Sequence, residues 1–233
     1  MHRVRRQAIA GHLSKGFRLT EAHSALQSST DARPDLMELR EQLLDELNQR
    51  FKSNLQILHG LLHGAYSKTD NSETREILAD TSRRIAAMGT AQKIFYSAGN
   101  LTDISGQKLL KGICVNAAAS FGKEVSINCE ATTASLPKET VMPLALILNE
   151  LLTNAAKHGA DDRGRVTIDA GLSQRSGSHE LYVQDQGAGF GFEEAVRRSS
   201  GLGLVRILAQ QLRGTFTVER RSGARCTLSF SDQ

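Results

Sequence analysis

The residues best suited to chemistry in this 233-residue sequence lie in one stretch, Asn149 to His158. Glu150, Asn154 and Lys157 are spaced i, i+4 and i+7, so a helix presents all three on one face. An amide oxygen suits Mg²⁺, which keeps several waters and takes phosphate oxygens as further ligands. A carboxylate can orient or deprotonate a water in that shell, and an ammonium offsets phosphate charge. The spacing predicts a magnesium–phosphate site, although a polar face that merely meets solvent is also compatible with it.

A second candidate site directly follows a predicted strand and reads Asp185-Gln186-Gly187-Ala188-Gly189-Phe190. A carboxylate at the end of a strand can accept a hydrogen bond from the amino group of an adenine. The glycines let the backbone turn tightly and approach a flat ring. The motif therefore indicates a nucleotide-base site, while a simple turn is the alternative.

A third candidate site is the run Ser200-Gly201-Leu202-Gly203-Leu204, which leads into a predicted helix. Glycines just before a helix expose backbone N–H groups to a phosphate. The run is not a Walker loop, because no Gly-Lys-Ser/Thr follows. Its spacing and its late position also exclude a Rossmann fingerprint.

Hydrophobic periodicity shows which elements would position these motifs. We expect helices over residues 109–121, over 137–158 with a stop at Gly159, and within 199–214. Strands are expected over residues 125–130, 165–172, 180–184, 215–219 and 225–230. Helices and strands mixed over about 130 residues predict a two-layer α/β domain.

The region upstream of this domain has a different hydrophobic pattern, which is helical throughout. Apolar residues recur every three or four positions over residues 35–66, and a second stripe runs from Ile77 to Phe95. Asp70, with Glu73 three residues on, resembles a capping box for the second helix. The short connection predicts an antiparallel hairpin. Such a hairpin leaves apolar faces uncovered, so we expect a homodimeric four-helix bundle. Packing of the hairpin on its own C-terminal domain is the alternative.

Composition excludes several classes of protein. No run reaches the roughly 18 uncharged apolar residues that a membrane span needs, and no secretory signal opens the chain, so a cytoplasmic location is expected. The net charge of +4 comes from five basic residues that precede the first acid, Glu21. This excess predicts a basic arm, with nucleic acid an unlikely partner. Cys114, Cys129 and Cys226 fit no metal spacing and are expected to pack as apolar residues.

In order, spacing and polarity, the three motifs resemble the N, G1 and G2 boxes of the GHKL ATPase superfamily, which includes gyrase, Hsp90 and histidine kinases. The resemblance covers residues 101–230 and implies an α/β sandwich of the Bergerat type that binds ATP and Mg²⁺. It implies Asn154 on Mg²⁺ and Asp185 on adenine. The nucleotide-binding residues that it implies are Asn149, Asn154, Lys157, His158, Asp185, Gly187, Gly189, Gly201, Leu202, Gly203 and Leu204.

The first helix narrows the resemblance. Residues 46–56, Glu-Leu-Asn-Gln-Arg-Phe-Lys-Ser-Asn-Leu-Gln, are similar to the dimerisation motif of the HisKA_2 and HWE sensor histidine kinases. The short segment between Gly189 and Gly201 resembles the short ATP lid of that branch. The resemblance implies transfer of the ATP γ-phosphate to a histidine and then to an Asp of a response regulator. It also implies that Glu150 polarises the acceptor and that Lys157 neutralises phosphate charge.

The acceptor position of that motif holds Gln49. A glutamine amide has no nucleophilic ring nitrogen, so autophosphorylation in cis at this position is not expected. Three explanations stay open: a pseudokinase or phosphotransfer scaffold that acts by binding, an engineered change of His to Gln, or another acceptor such as His63. A GHKL serine kinase of the anti-sigma type is a further alternative.

These interpretations divide the chain into three parts. Residues 1–32 form a basic arm or linker, residues 33–100 a dimerisation and phosphotransfer-like hairpin, and residues 101–233 a catalytic ATP-binding domain. The expected fold class is α+β, with a helical hairpin in a dimeric bundle followed by the α/β sandwich. The expected partners are a second copy, a response regulator receiver domain, and a sensor partner or a missing upstream sensor domain.

Overall fold

The computed structural model describes residues 38–40, 42–98, 103–122, 124–131, 133–189 and 200–231. Contacts divide the chain into two compact units, Met1–Phe51 and Lys52–Gln233. Two sequence-based predictions lie outside the described residues: the basic arm, residues 1–32, and the lid residues 190–199.

The described chain begins with two helices, after which helices and strands are mixed. The helices are α1 (residues 42–68), α2 (Ser72–Ser97), α3 (Gly106–Ser120), α4 (Lys138–His158) and α5 (Ser200–Gln211). The strands are β1 (Asp103–Ser105), β2 (Val125–Ala131), β3 (Ser135–Pro137), β4 (Val166–Arg175), β5 (Ser178–Gln184), β6 (Thr215–Arg220) and β7 (Ala224–Ser231). The predicted longer elements are confirmed, whereas the short strands β1 and β3 were not predicted.

The first unit contains the beginning of α1. Its residues 42–51 are helical, and Arg50 Nη2 lies 2.5 Å from Glu46 Oε1 one turn earlier, a spacing that supports a helix. The apolar residues of the predicted stripe are present here but exposed. Leu43 and Leu47, for example, are 52% and 58% exposed.

In the second unit, α2 begins with a cap that differs from the predicted one. The N-cap is Asn71, whose Oδ1 accepts a hydrogen bond from the backbone N–H of Thr74 at 2.8 Å. The predicted capping box of Asp70 and Glu73 is therefore wrong. The reason is geometric, because the residue directly before the helix is the one whose side chain can reach the free N–H groups of the first turn.

The face that α2 buries matches the predicted stripe only in part. Met88 and Phe95 of the stripe pack against the core, but the fully buried residues are Ala87 and Ala91, and Ile77 is exposed. Helix α2 packs against α3 and α4, and the small alanine side chains allow these helices to approach closely. The second hairpin helix thus packs on the chain's own C-terminal domain, which is the alternative that the sequence left open.

The C-terminal region is the predicted two-layer α/β sandwich. Its five strands lie in the order β2-β4-β5-β7-β6, with β2 parallel to β4 and the other pairs antiparallel. One face of the sheet carries apolar residues of the core, including Ile168, Val183 and Leu228. The other face is polar, and Asn128 Nδ2 there donates to Asp169 Oδ1 at 2.9 Å. A sheet with one apolar and one polar face packs helices on the first and meets water on the second.

Helix α4 is the central element of this unit. Fourteen of its 21 residues are buried, including the polar side chains of Asn149, Glu150 and Thr153. It contacts α2, α3, α5 and the sheet. Because burial removes water from polar groups, those of α4 need partners from neighbouring elements.

The helices and the cysteines can be compared with what the composition predicted. Among the helices in the described ranges, none has the length and apolar character needed to cross a membrane. Cys114 and Cys226 are buried as expected, whereas Cys129 is half-buried, and all three are free thiols. The Cys114 thiol donates a hydrogen bond to Cys129, so these two side chains form a pair between α3 and β2.

We expect Cys129 to be the most reactive thiol of the folded protein. The hydrogen bond from Cys114 lowers the pKa of Cys129, and Lys111 adds to this effect against partial burial. Burial raises the pKa of Cys226 to about 12, so at pH 8 that thiol stays protonated. Brief iodoacetamide treatment at pH 8, read by peptide mass spectrometry, should modify Cys129 first. Equal rates at Cys129 and Cys226 in the native state would contradict this, and Cys129→Ser is the control.

Candidate functional site

The last three turns of α4 present the predicted polar residues as the spacing requires. Glu150, Asn154 and Lys157 all belong to this helix. Two of the three, however, are engaged by side chains of α2. The polar face of α4 is therefore covered by another helix rather than by solvent, which the sequence did not predict.

Glu150 is the most deeply buried charge of this face, with 5% exposure. Its two carboxylate oxygens each accept a hydrogen bond from Arg84 of α2, one from Nε and one from Nη2, both at 2.8 Å. Asn149 Nδ2 adds a longer bond to Oε1 at 3.3 Å. The hydrogen bond to Glu150 raises the pKa of Arg84, outweighing the opposing effect of burial. The fork geometry matches both oxygens at once, which makes this a strong kind of ion pair.

Lys157 is held by two carboxylates of the same helix, α2. Its Nζ lies 2.6 Å from Glu76 Oε1 and 2.8 Å from Asp80 Oδ2. Partial burial opposes the charged form, but the hydrogen bonds that Lys157 donates to Asp80 and Glu76 prevail and raise the pKa of Lys157. The ammonium therefore stays charged at neutral pH and is paired with two carboxylates, of which that of Glu76 is exposed.

Asn154 has no such partner. Its Nδ2 is buried and makes no hydrogen bond with the described residues, and the same holds for Thr153 Oγ1. Buried polar atoms are normally hydrogen-bonded, and an unmade bond costs free energy. Asn154 is thus the one residue of the predicted magnesium motif that no ion pair with α2 engages.

Asp185 lies at the end of β5 and is 6% exposed. Its Oδ1 accepts hydrogen bonds from the backbone N–H of Gly187 and of Ala224, both at 3.0 Å. Within the described part of the chain, both bonds to this carboxylate go to Oδ1, so Oδ2 remains to accept from a ligand. Two backbone donors from different segments fix the direction of the side chain.

Glycines hold the segments around Asp185 closer than other residues could. A Cβ on Gly159 would lie 2.6 Å from Asp185 Cβ, and one on Gly187 would lie 2.6 Å from the carbonyl oxygen of His158. Gly223, with φ +135°, would place a Cβ 2.0 Å from the Asp185 carbonyl oxygen. The end of α4, the Asp185 loop and the β6–β7 turn are thus brought into contact.

Sequence reasoning did not assign Gly159 or Gly223 to this site. Gly159 was interpreted as a helix stop, and Gly223 lies in a turn that carries no motif. Only the tertiary contact with Asp185 distinguishes them from ordinary turn glycines. Within the predicted motif, Gly189 has φ +71°, which is a left-handed conformation suited to glycine.

The third motif lies inside α5 rather than before it. Gly201 to Leu204 follow Ser200, the first described residue of the helix Ser200–Gln211. Leu202 is buried in the core, whereas a Cβ on Gly203 would meet no described atom within 4 Å. Open space beside a helical glycine leaves room for a ligand to approach the backbone.

Gln49 lies in the other unit, exposed on α1. His59 and His63, the other candidate acceptors on this helix, belong to the second unit and are also exposed.

Comparisons with known families agree with this arrangement. Residues 46–121 match the family HisKA_2, described as histidine kinase. Residues 139–233 match HATPase_c, described as histidine kinase-, DNA gyrase B- and HSP90-like ATPase. Together the two matches take up most of the chain, which belongs to the histidine kinases, a family of ATP-dependent phosphotransferases. The resemblance to the HisKA_2 branch is confirmed.

Individual relatives are sensor proteins. The sensor histidine kinase PdtaS of Mycobacterium tuberculosis is 30% identical over 172 residues, which cover 70% of this chain and 33% of PdtaS. The nitrate/nitrite sensor protein NarQ of Escherichia coli is 24% identical over 234 residues, covering 96% of this chain and 39% of NarQ. The chain thus spans about a third of the length of these relatives.

A solved structure shares the fold. The blue-light activated histidine kinase EL346 of Erythrobacter litoralis superposes with a TM-score of 0.61 at 21% identity, over 81% of this chain and 59% of that one. Its histidine kinase domain alone gives a TM-score of 0.59 at 23% identity, over 75% of this chain and 95% of the domain. The arrangement of helices and sheet is therefore that of a histidine kinase catalytic region.

Proposed function

We propose that this chain is the core of a two-component sensor kinase that binds Mg-ATP where the end of α4, the Asp185 loop and the first turn of α5 meet. The observation that carries the proposal is the Asp185 carboxylate. Backbone N–H groups hold its Oδ1 at 3.0 Å, and Oδ2 is left to accept. A carboxylate oxygen accepts a hydrogen bond from a donor of a ligand, and the amino group of adenine is such a donor.

The chemistry of Asn154 supports the magnesium part of the proposal. Its amide oxygen is a neutral hard ligand of the kind that Mg²⁺ takes beside waters and phosphate oxygens. Mg-ATP bound there supplies the γ-phosphoryl group. The residues that we propose to hold it are Asn149, Asn154, Lys157, His158, Asp185, Gly187, Gly189, Gly201, Leu202, Gly203 and Leu204.

The proposed catalytic side chains are Glu150 and Lys157. Glu150 would polarise the acceptor, and Lys157 would offset phosphate charge, as general acid–base and electrostatic catalysis require. Phosphoryl transfer to a histidine and onward to the receiver domain of a response regulator is the proposed reaction of the family core.

The acceptor position limits what this particular chain does. Gln49 is exposed, but its amide nitrogen is a poor nucleophile because its lone pair is delocalised. We therefore propose that the chain binds Mg-ATP and engages a receiver domain without phosphorylating itself at position 49. Gln49 also favours the second candidate function, a scaffold that acts by binding alone.

The exposed apolar residues of α1 support a homodimer. In the second unit Ile57, Leu58 and Leu61 are 58%, 48% and 66% exposed. In the first unit Leu43 and Leu47 are exposed as well. Adjacent apolar side chains on one helix are a typical association surface, and a bundle with a second copy would bury them.

Asp185→Asn and Gly203→Ala should each weaken Mg-ATP binding at least about tenfold in calorimetry. Asp185→Asn places an amide N–H₂ or a neutral oxygen where a charged acceptor is needed. Gly203→Ala adds a methyl group to open space at the start of α5, where we propose that the nucleotide binds. Gly203→Ala should not reduce thermal stability, because alanine favours helix by about 1 kcal/mol over glycine.

The control for this prediction is Gly60→Ala, another helical glycine whose Cβ would meet nothing within 4 Å. It should raise stability in the same way and leave binding unchanged. The proposal of a nucleotide site would be refuted by an unaltered chain that does not bind Mg-ATP.

Gln49→His should convert the chain into one that takes up label from γ-labelled Mg-ATP, because it restores an imidazole at the acceptor position. The label should be acid-labile, as a phosphohistidine is, and the unaltered chain should take up none. Acid-labile label on the unaltered chain would point to another acceptor, tested by His63→Gln. Acid-stable label would instead identify a serine kinase.

Light scattering should give a mass near twice the 25.4 kDa of one chain. Replacing Leu58 and Leu61 by Gln should shift the mass toward that of a monomer, because these side chains are exposed and apolar. Val115 is exposed and apolar on α3, so Val115→Gln is the matched control and should leave the mass unchanged. A monomeric unaltered chain at tens of micromolar would contradict the homodimer.

A further inference from the structure

Two of the three cysteines meet between a helix and the edge of the sheet. Cys114 lies in α3 and is 3% exposed, whereas Cys129 lies in β2 and is half-buried. In the order β2-β4-β5-β7-β6, β2 is an outer strand, so within the described residues it has a neighbouring strand on one side only. The Cys114 thiol donates a hydrogen bond to Cys129, so the two sulfur atoms are neighbours in the folded chain.

The third cysteine, Cys226, lies in β7 and is buried. Cys129 is paired with Ala170, Ala170 with Val183 and Val183 with Cys226, so the two cysteines share one row across the sheet. Three strand spacings of about 4.8 Å separate them, which is roughly 14 Å. A disulfide requires Cα atoms about 4.4–6.8 Å apart. Cys226 is therefore too far away to be the partner of Cys129.

The two neighbouring thiols differ in reactivity. The hydrogen bond from Cys114 lowers the pKa of Cys129, and Lys111 adds to this effect against partial burial. The same hydrogen bond and burial raise the pKa of Cys114. Because the thiolate is the nucleophilic form of cysteine, Cys129 reacts first. Cys114 then stands beside it as a protonated, sheltered second thiol.

We propose that Cys114 and Cys129 form an oxidation site, at which a hydroperoxide converts the two thiols into one disulfide between α3 and β2. The proposal assigns a function to thiols that the nucleotide site does not use. It holds whether or not the chain phosphorylates itself, because neither thiol belongs to the residues proposed for Mg-ATP.

The reaction proceeds in two steps, written here for hydrogen peroxide. The Cys129 thiolate attacks one peroxide oxygen, the O–O bond breaks, and a sulfenic acid and a hydroxide ion form. The Cys114 sulfur then attacks Cys129 Sγ, the S–O bond breaks, and the leaving hydroxide takes the Cys114 proton to give water. In total the two thiols lose two electrons and two protons, and one peroxide is reduced to two waters.

A bond at this place would restrain a helix that other elements contact. Helix α3 packs on α2 and α4, and Asn116 Nδ2 donates to Thr90 Oγ1 of α2 at 2.5 Å. A covalent link between residues 114 and 129 also restricts the unfolded chain, which stabilises the folded state. We therefore expect the oxidised protein to be more stable than the reduced one.

The first test treats the reduced, folded chain with a small excess of hydrogen peroxide, blocks free thiols with iodoacetamide and maps the products by mass spectrometry. Trypsin cuts after Lys123, between the two cysteines, so the disulfide appears as a linked pair of peptides that dithiothreitol separates. We expect this pair as the main product, with at least about tenfold less oxidation of Cys226. Absence of the linked pair, or equally frequent linkage to Cys226, would overturn the proposal.

Three alanine variants assign the roles of the thiols. Cys226→Ala is the matched control and should form the linked pair as the unaltered chain does. Cys114→Ala lacks the second thiol, so Cys129 should stop at the sulfenic acid, which dimedone traps. Cys129→Ala should leave Cys114 largely unmodified, because this thiol is buried. Equal oxidation of Cys114 with and without Cys129 would overturn the proposal, since Cys114 would then react on its own.

The second test measures the melting temperature before and after oxidation. Peroxide should raise it by roughly 5 °C in the unaltered chain, and dithiothreitol should reverse the rise. Cys114→Ala should show no rise. A linked pair that forms without any rise would mean that the bond arises in unfolded or distorted chains, and this outcome would overturn an oxidation site in the native fold.

Discussion

Burial of the Glu150 carboxylate is the constraint on which the arrangement of the second unit depends. Helix α4 is the centre of the core, and fourteen of its residues are buried, so a charge on it must find a partner within the protein. Arg84 provides that partner with two hydrogen bonds of 2.8 Å. This pair fixes how α2 lies on α4. About two turns further along α4, Lys157 pairs with Glu76 and Asp80 of α2 in the same alignment of the two helices. Apolar residues of α2 pack on the same domain, since Ala87 and Ala91 are buried in the core and Met88, Ile94 and Phe95 pack against it.

The proposed nucleotide site has a different foundation. Its charged centre, Asp185, is held by backbone N–H groups and surrounded by glycines that allow the end of α4 and the β6–β7 turn to come close. The direction of the Asp185 carboxylate therefore depends on the backbone rather than on neighbouring side chains. The residues of α4, in contrast, meet side chains of α2, which pair with Glu150 and Lys157.

Gln49 separates two properties that usually occur together, the residues for Mg-ATP binding and a residue that accepts the phosphoryl group. The residues proposed for Mg-ATP are all present, whereas the residue expected to accept the phosphoryl group cannot do so as an amide. Substitution at one exposed helix position does not disturb the ATP-binding fold, because Gln49 and Asp185 belong to different compact units. Such a chain can keep the fold and the nucleotide site of a histidine kinase while losing one chemical step.

The sequence by itself determined the main elements and the motifs. Strong periodicity predicted α3, α4 and the five-stranded sheet, because alternating or 3.6-residue apolar patterns reflect burial against a core. Residue chemistry alone was enough to select Asp185 and the glycine motifs as candidate site residues. The same reasoning placed the cap of α2 one residue early, at Asp70, because several polar residues there could serve and only the backbone geometry selects Asn71.

Only the tertiary structure decided which residues meet across the fold. Arg84 and Glu150 are 66 residues apart, and Gly223 and Asp185 are 38 apart, and no local pattern pairs residues at such distances. For the same reason the sequence did not predict that α2 covers part of the polar face of α4, since a polar helical face has the same pattern whether it meets a nucleotide, water or another helix. Local periodicity reports that a side chain is polar or buried, whereas the partner that satisfies it is set by the packing of the whole chain.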